Sequence, residues 1–208
     1  ILAMVGSKDY FNLKDDGNVN VVLANRQPGS AIKPINYAIG IDRKLFTAAT
    51  VLADKPTCFA QADQELYCPV NYDGQWHGPT QVRFALANSF NIPAVKALVI
   101  NGLSDFVASA AAFGISTFTD PTKYGPSLTL GGGEVTMLDL ATAFGVLANA
   151  GTRVNLNPIL EVRDRDGQVL EKAPSLPSNT RVISAGAAYI VSHLLFDNGA
   201  RSATFGQS

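Results

Sequence analysis

Arg26-Gln27-Pro28-Gly29-Ser30-Ala31-Ile32-Lys33-Pro34 holds more structural and chemical information than any other nine residues of the chain. Pro28-Gly29 is a turn signal, and the residues after it read as a helix with Ser30 as its N-cap. Pro34 then falls on the last of the four helix N–H positions that lack an internal partner, where its missing donor is tolerated. This fixes the helix start close to Ser30. Residues three apart share a helix face, so a hydroxyl at the helix entrance sits beside an amine one turn on. A serine is a weak nucleophile until a nearby base takes its proton, and a desolvated neutral lysine can be that base. Alone the S-x-x-K spacing says little. Thirteen serines and eight lysines make about 0.5 such pairs by chance in a chain of this length, and the plain alternative is a Ser cap followed by a solvent-facing lysine.

Around this stretch the chain reads as helix-rich α+β. Ile1 to Val5 has the composition of a buried strand, and a polar segment with an Asp16-Gly17 turn follows it. A short helix is expected near Phe46 to Ala53, then an irregular stretch from Asp54 to Gly78. Pro79 in the favoured first position opens a helix to about Asn88. Helices follow over Pro93 to Ile100 and over Ser104 to Phe113, the latter with a Ser cap and a Gly114 stop. Gly131-Gly132-Gly133 precedes the clearest helix, Thr136 to Asn149. Asp166-Gly167 is the turn of a hairpin near 160–170. After a Pro/Ser-rich connector comes a last helix, about Ser184 to Phe196, and nothing regular is expected beyond Arg201.

A second element joins the first. Ser89-Phe90-Asn91 falls between two expected helices, so it offers a hydroxyl and an amide on a short loop where one reacting group could reach both. By itself it is an ordinary helix terminus. S-x-x-K followed by a later S-x-N is the pattern of serine β-lactamases and penicillin-binding proteins. The stretch from Arg26 to Pro34 closely resembles the active-site signature of the transpeptidase domain of class A (bifunctional) penicillin-binding proteins. So do Asn71-Tyr72-Asp73-Gly74 with Gly78-Pro79, Ala87-Asn88-Ser89-Phe90-Asn91-Ile92-Pro93-Ala94-Val95, and Gly132-Gly133-Glu134-Val135-Thr136. The blocks follow the family's order, and the similarity runs over essentially the whole chain.

That resemblance implies a penicillin-binding-protein transpeptidase (serine β-lactamase-like) fold. Residues 1–208 would form one partial domain, mostly the helical part with one core strand, Ile1 to Val5, and a hairpin. It implies Ser30 as the acylated nucleophile, Lys33 as its general base, Ser89 as a proton relay and Asn91 as a ligand for the substrate's peptide amide. The implied reaction is D,D-transpeptidation of peptidoglycan stem peptides, with β-lactams as mimics that leave a stable ester. Water in place of the amine would make a β-lactamase or D,D-carboxypeptidase, and loss of chemistry would leave a penicillin-binding sensor. The implied location is outside the cytoplasmic membrane, next to an N-terminal anchor and a glycosyltransferase domain that these residues do not include.

One motif of the family, K-[ST]-G, does not occur in the 208 residues; the last lysine is Lys172, before Ala173 and Pro174. The chain therefore reads as an interior piece whose N- and C-terminal partners belong to the same protein. The K-[ST]-G strand brings the second oxyanion-hole N–H, and a lost donor of that kind costs about 2.7–4 kcal/mol. Residues 1–208 alone are accordingly expected to acylate feebly or not at all.

Composition narrows the classes. Hydrophobic residues make up 47% and charged residues 16% of the 208, which excludes a disordered solvated chain. A net charge of −1 with a pI near 6.1 offers no positive field for nucleic acid. Cys58 and Cys68 bracket nine residues, and no further cysteine or paired His completes a zinc set; no metal or cofactor is expected. The pair is open to two readings, inert thiols or a disulfide, and the extracytoplasmic location implied by the resemblance favours the disulfide. His77 beside Trp76 reads as a loop histidine that nothing orients, and His193 as a structural residue of the last helix. The three glycines before Thr136 lack a following G-K-[ST], so close backbone packing is expected there in place of phosphate binding. Arg163-Asp164-Arg165-Asp166 reads as a solvated turn.

Overall fold

The computed structural model describes residues 3–61, 64–173 and 179–206. Its centre is α1 (Lys33–Asp42), in which every residue from Lys33 to Ile41 is buried. A helix apolar on all sides needs neighbours on all sides. It has them in α2 (Val82–Ala87), α3 (Asn91–Asn101), α4 (Leu103–Phe113) and, later in the chain, α6 (Ala185–Phe196). Its buried Asn36 is paired: Nδ2 donates to Ala94 O (3.0 Å) and Thr129 Oγ1 (2.9 Å), and Oδ1 accepts from Asn101 Nδ2 (2.7 Å). Those bonds pin α3 and the 3-10 turn Pro126–Leu130 to the central helix. Gly40 lets Phe46 lie against α1, since a Cβ there would come within 2.0 Å of the ring.

Among the described residues, four two-stranded antiparallel ribbons decorate this helical body. β1 (Val51–Asp54) pairs with β4 (Gly78–Gln81), and β2 (Phe59–Gln61) with β3 (Gln64–Tyr67). After α5 (Met137–Ala148), β5 (Thr152–Val154) pairs with β8 (Asn179–Arg181), while β6 (Glu161–Arg163) and β7 (Val169–Lys172) form the hairpin expected at Asp166-Gly167. The chain ends its described part in α7 (Asn198–Phe205). The α+β class holds.

Several local expectations do not. Residues 3–5 form no strand and are exposed; Ile1 and Leu2 lie outside the described residues, as do 174–178 of the connector. Among the described residues, one backbone bond, from Val21 N to Gly6 O, ties this segment down, and residues 3–5 join no ladder. The helix expected at Phe46 to Ala53 is a turn followed by β1, whose alternating burial of Leu52 and Asp54 is a period of two. Pro79 lies within β4, opposite Ala53, and α2 begins only at Val82. Gly102, in place of Ser104, precedes α4. Ser30 is inside a 3-10 turn, Gly29–Ile32, and α1 proper starts at Lys33 with Pro34 in its first turn. Beyond Arg201, where nothing regular is expected, α7 is capped by Asp197, whose Oδ1 accepts from Ala200 N at 2.9 Å. Thr136, Ser184 and Gly114 end their helices as read from sequence.

Candidate active site

Lys33 is the first residue of α1 and is 1% exposed. Its Nζ donates to Ser89 O (2.6 Å), Ser89 Oγ (3.1 Å) and Asn91 Oδ1 (2.7 Å). Burial pulls its pKa from 10.5 down to about 7, because desolvation penalises the ammonium. The amine is thus about half neutral at neutral pH. Losing one proton leaves two donors and a lone pair, so one of the three contacts must change, and the Ser89 hydroxyl can turn to donate instead. Ser30, one turn before Lys33, is exposed. Ser30, Lys33 and Ser89 line one cavity of about 200 Å³, closed by Leu86, Arg201 and Phe205. Larger grooves lie elsewhere; one of about 540 Å³ runs beside α4, and its Arg153 is occupied with Ala111 O and Ala112 O.

Two devices bring these groups together. The approach to Ser30 is clamped by an antiparallel bridge in which Arg26 and Val135 exchange both backbone bonds at 2.9 Å. Gly131 passes so near Gly29 that a Cβ on it would sit 2.3 Å from Gly29 N; the glycine triplet is there for close packing. The second device is the end of α2. Ser89 N–H donates to Leu86 O and Phe90 N–H to Ala85 O, both at 3.0 Å, with Ser89 at φ 57°. This is a Schellman stop with a serine where glycine is usual, and it turns Ser89 O and Oγ toward Lys33.

All four sequence-derived residues, Ser30, Lys33, Ser89 and Asn91, therefore meet at one cavity or at the Lys33 amine that lines it. Cys58 and Cys68 are joined as a disulfide across the β2–β3 ribbon. His77 departs from its expected reading, for it is strongly oriented: Nδ1 lies 2.7 Å from Asp54 Oδ2, Nε2 lies 3.2 Å from Asp73 Oδ2, and the ring stacks on Phe90 at 3.8 Å. His193 is exposed, 6.0 Å from the Tyr189 ring. Among the described residues no group of three His, Cys, Asp or Glu is placed to hold a metal ion, and no single helix is long and apolar enough to cross a membrane. Sequence reasoning missed Arg201 and Phe205, which come from α7, and the buried pair Asp54 and Asn71, which lies behind the Ser89–Asn91 loop.

A buried amine of lowered pKa, hydrogen-bonded to a hydroxyl loop and lining the same cavity as the serine one turn before it, is an arrangement suited to serine acyl transfer. The chain belongs to the penicillin binding protein transpeptidase domain family, whose model matches residues 1–207. It is 34% identical over 197 residues to penicillin-binding protein 2D of Bacillus subtilis, covering 94% of this chain and 27% of the relative. With penicillin-binding protein 1B of Vibrio cholerae it shares 31% identity, over 94% of this chain and 24% of the relative. The chain thus spans about a quarter of the length of these relatives. Its fold superposes on penicillin-binding protein 1A of Haemophilus influenzae with a TM-score of 0.76 at 25% identity, covering 88% of this chain and 31% of that one. It superposes on penicillin-binding protein A of M. tuberculosis, solved as an imipenem acyl-enzyme complex, with a TM-score of 0.75 at 17% identity, over 93% and 48% of the two chains.

Proposed function

We propose that this domain performs serine acyl transfer as a peptidoglycan D,D-transpeptidase. The observation that carries the reading is the Lys33 amine, desolvated to a pKa of about 7 and hydrogen-bonded to Ser89 and Asn91 at the cavity that Ser30 lines. Ser30 Oγ attacks the carbonyl before the terminal D-alanine and gives its proton to neutral Lys33. The C–N bond then breaks, and Ser89 relays the proton from Lys33 to the departing amine. An ester to Ser30 remains. An amine from a neighbouring strand attacks that ester, loses its proton to the same relay, and restores the serine. Asn91 orients the stem-peptide amide meanwhile. A β-lactam follows the same first half and stops at the ester. The Cys58–Cys68 disulfide accords with an extracytoplasmic setting, where such bonds persist.

The test is labelling of the full-length protein with a fluorescent penicillin, followed by mass spectrometry. Stoichiometric adduct on the tryptic peptide spanning residues 27–43, absent in Ser30→Ala, supports the reading. An unlabelled wild-type protein, or label on another residue, sinks it. Rapid turnover of a chromogenic cephalosporin would replace transpeptidation with hydrolysis at the same serine.

A further inference from the structure

A second polar assembly lies directly behind the Ser89–Asn91 loop. Asp54, at the end of β1, is fully buried, and its Oδ2 accepts from Asn71 Nδ2 (2.7 Å) and from the backbone N–H of His77 (3.0 Å), with His77 Nδ1 also 2.7 Å away. Asn71, 3% exposed, donates further to Gln75 O (2.9 Å), and its Oδ1 accepts from the backbone N–H of Asn91 at 2.7 Å. The amide cannot be reversed, since that would turn its NH2 against one N–H and its oxygen against a carboxylate.

The position of that last bond matters. Asn91 opens α3, so its N–H has no partner within the helix. The residue before it, Phe90, has no side chain able to cap. Asn71, twenty residues earlier, supplies the acceptor from another loop. The next group along, Val70 O, accepts from Asn91 Nδ2 at 2.7 Å. The His77 ring, held by Asp54 and Asp73, stacks nearly parallel on Phe90, with 10° between the planes. Residues 90 and 91 are thus gripped from one side at a ring, a backbone N–H and a side-chain amide. On the other side Asn91 Oδ1 and Ser89 meet Lys33 Nζ. A buried carboxylate is costly unless its bonds are used, and every bond made by Asp54 Oδ2 serves this clamp.

We propose that Asn71, locked by Asp54 and His77, is a positioning residue that sets Ser89 and Asn91 at their reach from Lys33. The inference rests on the acyl-transfer reading of the site. None of the three touches the cavity, so they act through the loop they hold.

Saturation kinetics of acylation by a fluorescent penicillin, on the full-length protein, separate the acylation step k2 from the pre-acylation binding constant. Asn71→Ala is expected to lower k2 at least tenfold, by a larger factor than it alters binding, while stoichiometry still reaches one label per chain. Asn71→Asp sets a carboxylate against Asp54 and lowers k2 as much or more. His77→Leu, changing a side chain 30% exposed, loses the anchored stack and should lower k2 three- to tenfold in a folded protein. A merely structural role lowers the melting temperature and leaves k2 of the folded molecules unchanged. Wild-type k2 in folded Asn71→Ala overturns the proposal, and if that variant does not fold, wild-type k2 in His77→Leu overturns it. A wild-type protein that takes no label overturns the acyl-transfer reading instead, and this inference with it.

Discussion

In the proposed acyl-transfer reading, Lys33 serves stability badly and chemistry well. Its burial removes the amine from water, and the folded protein holds it near a pKa of 7 where the unfolded chain holds it near 10.5. Between those values the unfolded state binds the extra proton, so stability rises with pH across that window. Lys96 adds to the same slope, its pKa lowered by burial first and by Lys55 second. Tyr37 ends the rise: burial, then the Asp54 charge, hold its hydroxyl far above its ordinary value of 10, so above pH 10 the unfolded tyrosine ionises and stability falls. Denaturant titrations from pH 6.5 to 11 should therefore pass through a maximum near pH 10; a flat profile means that Lys33 keeps its proton. The same group gives the rate its pH dependence. Acylation of the full-length protein should rise about tenfold per unit below pH 6 and level off above 8, because only neutral Lys33 accepts the Ser30 proton. Lys33→Arg, charged at every accessible pH, should lose about 10²–10⁴-fold of the rate and show no such limb.

Helix ends are where sequence and structure part most instructively. Gly114 is legible as a stop because glycine enters the left-handed region freely. The same Schellman geometry ends α1 at Lys44 (φ 60°), α2 at Ser89 (φ 57°) and α5 at Ala150 (φ 49°), and none of those residues announces it. A left-handed conformation costs a non-glycine residue roughly 1–2 kcal/mol. Exposed Lys44→Gly should therefore stabilise the protein by about 0.5–1 kcal/mol in urea titrations; no gain would mean that the Lys44 side chain offsets its strain. Ser89→Gly should relax the backbone equally yet lower acylation, since the hydroxyl goes with the strain. For the same reason the candidate site is legible in the sequence and its scaffold is not. Ser30, Lys33, Ser89 and Asn91 are neighbours in two short motifs, whereas Asp54, Asn71 and His77 meet only once β1 has paired with β4. Short ribbons carry little periodic signal, and the β1 segment passes for a helix because four residues cannot separate the two periods. The β2–β3 ribbon is held by the Cys58–Cys68 bond, which closes a loop of about eleven residues and should contribute on the order of 2.5–3 kcal/mol. Cys58→Ala with Cys68→Ala tests this by denaturation; an unchanged midpoint would mean that the ribbon holds itself.

At the scale of the whole molecule, the late elements close a cavity whose candidate reactive side chains come from the early ones. Ser184 N–H donates to Asp42 Oδ1 at 2.7 Å, fastening the start of α6 to the end of α1. Arg83 of α2 pairs with Asp197, and the guanidinium, with the Ala200 N–H, holds that carboxyl below its usual range. Asn88, buried beside Ser89, donates to Ala200 O (2.8 Å) and accepts from Thr204 N (3.0 Å). These bonds lay α7 over the cavity so that Arg201 and Phe205 form its far wall, more than a hundred residues after Lys33. A group whose folded pKa is depressed stabilises above its unfolded value and loses that contribution only as pH falls through the lower one. The Asp197 latch should thus outlast ordinary surface carboxylates on acidification. Asn88→Ala removes both of its bonds to α7, a loss of about 0.5–1.5 kcal/mol for each. Since α7 meets the body mainly through α2, that loss should appear locally, as faster amide exchange over residues 198–205 with α1 and α3 still protected. Uniform loss of protection would instead make α7 part of one cooperative unit with the central helix, and the cavity wall as rigid as the lysine it faces.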